Sequence, residues 1–310
     1  MAIIQSKASN ARGGLLSRLH DWWEGTETAP PDEFGPAETL ELDAEETSDA
    51  GETMARVWTR DRITAVQLVC GEGNSTPVGE RMAKQIVKPL GLNEQMSALV
   101  YGCQLGLFAR VVARETGTWA DGIDTEPLLV EEATRLSTLQ GLSKKAAIRA
   151  GHLNDNTIKD GSRDAVIAVE ALHRQPDLDA QLRGIHRVLK STGQLLLVEF
   201  VRKPEADAGA LEQWAAYEPA PPIVCTMDEL RKAMKKARLV TRVTADITDD
   251  YATALTQGLQ GMAKQLIKHP PESATHTALL REVHYWGRRL ALLQAGHLGV
   301  VRIIGAQVKD

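Results

Sequence analysis

The sequence predicts an α/β fold with a doubly wound, mostly parallel sheet, and three observations between Ser97 and Ala133 predict it. Ala98–Tyr101 are apolar or aromatic and lead directly into Gly102-Cys103-Gln104-Leu105-Gly106, as a buried strand leads into a glycine turn. Leu107, Val111 and Val112 follow at three- and four-residue spacing, the mark of one helix face. Trp119–Ile123 then read as a second strand, with Asp124 at its carboxyl end about twenty residues past the turn. In a doubly wound sheet, that is where an acid meets the hydroxyls of a ribose. Glycines in the turn let the backbone approach a ligand, and the helix N-terminus behind them offers free N–H groups. The segment is predicted to be a nucleoside-binding half-fold.

The remaining elements follow in chain order. Leu15, Leu16, Leu19, Trp22 and Trp23, with Arg12 and Arg18, make a short amphipathic helix within residues 1–24. Residues 12–23 could touch a membrane surface or a partner groove; packing on the chain's own domain is the simpler expectation. Residues 25–56 are expected to be an acidic, proline-containing linker. From Asp21 to Glu52 there are twelve acids and no Lys or Arg, so the formal charge of −5 is −12 there and +7 elsewhere. Residues 57–310 form the folded domain: a cap at 57–95, a core at 96–201, a lid or insert at 202–237, and strands and helices at 238–310. Ala208–Tyr217 and Met227–Ala237 are predicted helices separated by Pro219-Ala220-Pro221-Pro222, Leu239–Ile247 a sixth strand and His297–Lys309 a seventh. Between these strands lie two long helices, Tyr251–Lys268 and Glu272–Ala295, split by His269-Pro270-Pro271. Their stripe of Leu255, Leu259, Met262, Leu266, Leu279, Leu280, Val283, Trp286 and Leu290 should partly cover the sheet. The pair is longer than one sheet face needs, which predicts surplus apolar surface for a homodimer or a partner protein.

The glycine spacing does not fit the dinucleotide fingerprint G-x-G-x-x-G. G-C-Q-L-G instead resembles the first motif of the class I S-adenosylmethionine-dependent methyltransferases, and the resemblance continues in order along the chain. Gly122-Ile123-Asp124 with Pro127 is similar to the second motif, and Arg163-Asp164-Ala165-Val166-Ile167 stands where the fourth strand opens. Ala171-Leu172-His173 occupies the place of a frequent A-x-H-H. Arg187–Glu199, RVLKSTGQLLLVE, is similar to the helix–turn–fifth-strand segment of the family. Gly71–Glu80 resembles the cap of small-molecule N-methyltransferases of the phosphoethanolamine and sarcosine/dimethylglycine type. The resemblance covers roughly Val69 to the C-terminus. It implies a Rossmann-like seven-stranded sheet, mostly parallel with an antiparallel last strand, carrying a helical cap and an insertion. It also implies S-adenosylmethionine as cofactor, with Gly102, Cys103, Gln104, Gly106, Asp124, His152 and Leu153 at its site and Ser75, Thr76 and Gly79 in the cap above it.

The chain departs from the family pattern at four places. Val100 replaces the acid that holds the methionine amino group, and Gln104 replaces the middle glycine. His152 stands where an Asp contacts the adenine amino group, and Ser191-Thr192 replaces Pro-Gly before the fifth strand. Loss of a charge-assisted hydrogen bond at Val100 would cost about 1.5–3 kcal/mol, although the Gln104 amide could replace part of it by accepting a hydrogen bond. Two functions are therefore carried forward: methyl transfer to a small-molecule or lipid-like acceptor, and a non-catalytic role as partner subunit or scaffold. For catalysis, His173, Glu170 and Tyr251 are the candidate bases at the strand ends, His173 first because a neutral imidazole takes a proton near pH 7.

Composition narrows the classes further. The chain of 310 residues is 43 % hydrophobic, enough for a large core, and no apolar run approaches the ~18 residues of a membrane span. Cys70, Cys103 and Cys225 show no pairing or metal-ligand spacing, the eight histidines no H-x-x-x-H, and no metal site is expected. Reduced cysteines and the absence of a secretory h-region point to the cytoplasm. There is no basic-aromatic array, so nucleic acid is not expected as a partner.

Overall fold

The computed structural model describes residues 58–155, 157–218, 221–268 and 273–308. The amphipathic helix and the acidic linker expected at 1–56 lie outside them. Among the described residues the chain runs α1 (Arg60–Cys70), α2 (Gly79–Val87), a short 3₁₀ turn (Lys88–Leu90), β1 (Ser97–Tyr101), α3 (Leu107–Thr116) and β2 (Trp119–Asp124). It continues with α4 (Pro127–Leu139), β3 (Ile148–Ala150), β4 (Arg163–Val169), α5 (Leu178–Val188), β5 (Leu189–Arg202), α6 (Ala208–Ala215) and α7 (Met227–Lys236). Last come β6 (Leu239–Asp246), α8 (Thr248–Lys268), α9 (Ser273–Gln294) and β7 (Leu298–Gln307).

One seven-stranded sheet has the order β3-β2-β1-β4-β5-β7-β6. β1 pairs in parallel with both β2 and β4, so the chain reverses its direction of winding there, and loops at the carboxyl ends of β1 and β4 diverge to leave a crevice. β7 enters antiparallel between β5 and β6, as the resemblance implied. Helices cover both faces, which is why Ala165–Val169 of β4 and Leu195–Val201 of β5 are buried without alternation. One core holds Val100, Ile167 and Val198 against α1, α2, α3, α8 and α9; the other holds Leu99, Val166 and Leu197 against α5 and α7.

The helix termini follow local chemistry. Thr59 caps α1 by accepting from Arg62 N, Asp177 caps α5, and Thr226 with Glu229 closes a capping box on α7.

Two expectations change. The helix–turn–strand segment has no separate turn, because Leu189 already pairs with Arg163, and a register shift before Gln194 places Ser191 and Thr192 on the exposed bulge. Most of the apolar stripe of the long helices is buried inside the chain, with Leu266 and Leu280 half-buried. Leu255, Leu259, Met262, Leu279, Val283, Trp286 and Leu290 are all buried, packed chiefly on α1 and β7. The described residues of α8 and α9 leave no large exposed apolar side chain for a dimer or partner.

Candidate functional site

The crevice has two ends. At the first, β1 runs into the glycine turn. Gly102 has φ +60°, and a Cβ there would lie 2.7 Å from that of Ala171, so no side chain fits. Gln104 keeps the left-handed conformation of the glycine it replaces, φ +51°, and buries its side chain. Its backbone N–H donates to Asp124 Oδ2 at 2.8 Å, and Glu126 N–H donates to Oδ1 at 3.0 Å. The buried Asp124 thus shapes the turn and keeps one lone pair on each oxygen for a ligand. The Gln104 amide nitrogen reaches Val169 O at 3.5 Å, while its Oε1 is buried with no hydrogen-bond partner. Cys103 Sγ packs under Gly122, where a Cβ would come within 2.9 Å of it.

The cap lies over this turn. Gln67 Oε1 accepts from Gly73 N at 2.7 Å, Asn74 Nδ2 donates to Cys70 O, and Thr76 Oγ1 accepts from Val78 N. Ser75 and Thr76 are buried, and Gly79 opens α2 at φ +62°. Arg110, on α3 and 2 % exposed, joins cap to turn by donating to Gly73 O at 2.8 Å and to Leu105 O. A Cβ at Gly73 or at Gly106 would come within 3.0 Å of its guanidinium, so both glycines make room for it. With only carbonyls to accept from it, burial lowers the Arg110 pKa to about 10.

His152 and Leu153 follow β3. His152 Nδ1 accepts from Asn154 N at 3.3 Å, and its Nε2 faces Tyr101 Oη and Gln181 Nε2 at 3.5 Å each. The ring stands edge-on to Tyr101, whose hydroxyl donates to Gln181 Oε1. Leu153 is wholly buried in the second core, against Gly184.

The second end of the crevice brings Glu170, His173 and Tyr251 together. Glu170, at the end of β4, is fully buried in the left-handed region, φ +51°, an uncommon place for a side chain. Tyr251 Oη donates to Glu170 Oε1 at 2.9 Å. Burial first, and the Glu170 carboxylate next, raise the Tyr251 pKa well above its ordinary value, so the hydroxyl stays the donor of this bond. His173 Nδ1 lies 2.5 Å from Glu199 Oε1, and its ring stands edge-on to Phe200. Burial works against the Glu199 charge, but His173 and the backbone N–H groups of Phe200 and Leu172 outweigh it and hold the carboxyl below the usual range. His173 Nε2 is buried with no hydrogen-bond partner among the described residues.

Around them lies a charged cluster that sequence reasoning missed. Arg289 of α9, with no exposed surface, donates from Nε and Nη2 to the two oxygens of Glu218 at 2.9 and 2.8 Å. Trp214 Nε1 donates to the same Glu218 at 2.6 Å. Glu199, Arg110 and Arg289 carried one common signal: a charged residue inside an otherwise apolar strand or helix stripe, which is buried only when paired. No group of His, Cys, Asp and Glu able to hold a metal occurs among the described residues, and no described helix is long and apolar enough to cross a membrane.

A family model described as methyltransferase domain matches residues 92–258, from before β1 into α8. A sterol 24-C-methyltransferase of Aspergillus fumigatus is 34 % identical over 112 residues, which is 36 % of this chain and 30 % of that one. The match therefore spans less than a third of that relative's length. A phosphoethanolamine N-methyltransferase of Haemonchus contortus, solved with phosphomonomethylethanolamine and S-adenosylhomocysteine, superposes with TM-score 0.71 at 15 % identity over 83 % of this chain and 60 % of that one. A putative sarcosine dimethylglycine methyltransferase from Galdieria sulphuraria superposes with TM-score 0.67 at 15 % identity, covering 81 % of this chain and 99 % of that one. At such identities the two structures share the fold. None of these matches supports the scaffold alternative.

Proposed function

Because this chain belongs to the methyltransferase-domain family, we propose that it transfers a methyl group from S-adenosylmethionine to a small-molecule or lipid-like acceptor, with His173 as the base that takes the acceptor's proton. The single observation that carries this is the buried Glu199–His173 pair past the carboxyl end of β4, whose Nε2 has no hydrogen-bond partner among the described residues.

The residues present fit the cofactor. Asp124 has lone pairs left for ribose hydroxyls, and Gln104 Oε1, buried with no hydrogen-bond partner among the described residues, can accept from an ammonium group. When bound, S-adenosylmethionine supplies an electrophilic methyl group on a sulfonium centre. Asp124 would hold the ribose, the Gly102–Gly106 backbone would lie against the amino-acid end, and Gln104 would stand in for the acid that Val100 lacks. Ser75 and Thr76, tied down through Arg110, would keep water from that end, which strengthens every polar contact inside it. At the acceptor end, Glu199 accepts the Nδ1 proton of His173 and so fixes the tautomer that leaves a lone pair on Nε2. As Nε2 takes the acceptor's proton, the Glu199 carboxylate stabilises the imidazolium that forms. Tyr251 of α8 and Trp286 and Arg289 of α9 are buried against the sheet, so entry of an acceptor to this end would require these helices to move.

The test is transfer of labelled methyl from S-adenosylmethionine to a panel of phenols, alcohols, amines and lipids. His173→Ala should lower turnover by about 10²–10⁴-fold with donor affinity unchanged, and Glu199→Gln should lower it less and shift the acid limb of the pH profile. Wild-type turnover in His173→Ala would remove the base assigned here.

A further inference from the structure

Arg289 occupies the centre of the acceptor end. Its Cζ is 4.2 Å from the ring centroid of Tyr285, 5.0 Å from that of Phe200 and 5.1 Å from that of Trp286. Glu218 accepts two of its hydrogen bonds, and Glu170 Oε2 lies 3.6 Å from its Nη1. Three ring faces and two carboxylates around one positive charge are the chemistry that binds an alkylammonium ion. Here the chain fills that cage with its own guanidinium.

We infer that Arg289 is a specificity-determining residue: it occupies the cation cage of the acceptor end, so the acceptors that fit are uncharged oxygen or carbon nucleophiles, and protonated amines are excluded. The inference rests on the acceptor end proposed above. An ammonium brought to this place would meet a like charge and find three of the lone-pair sites of Glu218 already taken by Arg289 and Trp214. An uncharged acceptor needs no counter-ion. It does need donors for its oxygen, and Arg289 Nη1, with Glu170 Oε2 at 3.6 Å, and Trp286 Nε1, one helical turn away, are both buried without a hydrogen-bond partner among the described residues. A carbonyl or hydroxyl oxygen held by these two would satisfy groups that are otherwise costly to bury.

Arg289→Ala empties the cage, and the experiment is thermal unfolding of this variant and of the wild type with millimolar ethylguanidinium or tetramethylammonium, against sodium chloride at equal ionic strength. The variant should gain several degrees with either organic cation and the wild type none, because only the variant binds the cation in its folded state. Arg289→Ala with Glu218→Gln removes the unpaired carboxylate and gives a second folded host, which should respond more weakly through the rings and Glu170. Equal response of variants and wild type to all three salts would overturn the inference. Calorimetry of the wild type with S-adenosylmethionine, run on the same preparation, separates the two claims. No donor binding alongside a cation gain would sink methyl transfer and leave the cage; donor binding without a cation gain would do the reverse.

Discussion

Arg110 and Arg289 are both buried at the carboxyl end of the same sheet, yet they are held in opposite ways. Arg110 has carbonyl oxygens as its acceptors, and burial lowers its pKa to about 10. Arg289 is more deeply buried; that works against its charge, but Glu218, Tyr285 and Glu170 outweigh it and raise its pKa well above the ordinary value. The difference separates the two ends of the crevice. The donor end is built from backbone groups, with one guanidinium tying loop to loop. The acceptor end is built from side-chain charges that neutralise one another inside a ring of aromatic residues.

The comparison breaks most directly at Glu218. Replacing it by alanine leaves Arg289 buried without its bidentate partner, which should cost about 3–5 kcal/mol in urea unfolding. Arg110→Met removes a cation whose partners are neutral and leaves two carbonyls short of a donor. Its expected cost is smaller, about 2–3 kcal/mol, accompanied by weaker donor binding as the cap comes away from the turn. A larger loss at Arg110 than at Glu218 would mean that the carbonyl-held cation, and not the carboxylate-held one, carries the greater part of the stability here.

Acid sharpens the contrast. Glu199 and Glu218 both titrate below the usual glutamate range in the folded chain: burial would raise them, but His173 outweighs it for Glu199 and Arg289 for Glu218. A carboxyl lowered on folding contributes stability that is full above its unfolded pKa, about 4.3, and is lost as pH falls through the folded value. Stability followed by circular dichroism should therefore decline below that range, and Glu199→Gln should make the decline shallower. An unchanged acid limb in that variant would show that His173 does not hold Glu199 ionised. The smallest effect is expected at the turn. Gln104→Gly relieves a left-handed side chain but adds backbone freedom to the unfolded chain, and stability should change by about 1 kcal/mol or less. Combined with Val100→Asp, it should tighten donor binding at least about tenfold, roughly 1.4 kcal/mol.

The sheet and the donor end were legible because their causes are local. A strand of apolar residues, a turn that excludes Cβ atoms and an acid about twenty positions on leave a periodic trace. Asp124 and Gly102 stand as that trace required. At the second end only Glu170 and His173 after β4 and Tyr251 of α8 were named, because its other members come from distant segments. Glu199 is 26 residues from His173, and Arg289 is 71 from Glu218. The partners of His152 were hidden for a similar reason: Tyr101 and Gln181 lie on β1 and α5. How far the stripe of the long helices would be covered was not legible either, because α1 (Arg60–Cys70), which covers much of it, lies far earlier in the chain.

The central claim is that this crevice binds a methyl donor despite Val100 and Gln104. Calorimetric titration of the full chain with S-adenosylmethionine and with S-adenosylhomocysteine tests it most directly. Saturable binding of both is predicted, weakened at least about tenfold in Asp124→Ala, since each oxygen of that carboxylate already holds the turn and keeps a lone pair for the ribose. No heat from either ligand at millimolar concentration, with the chain folded, would contradict it.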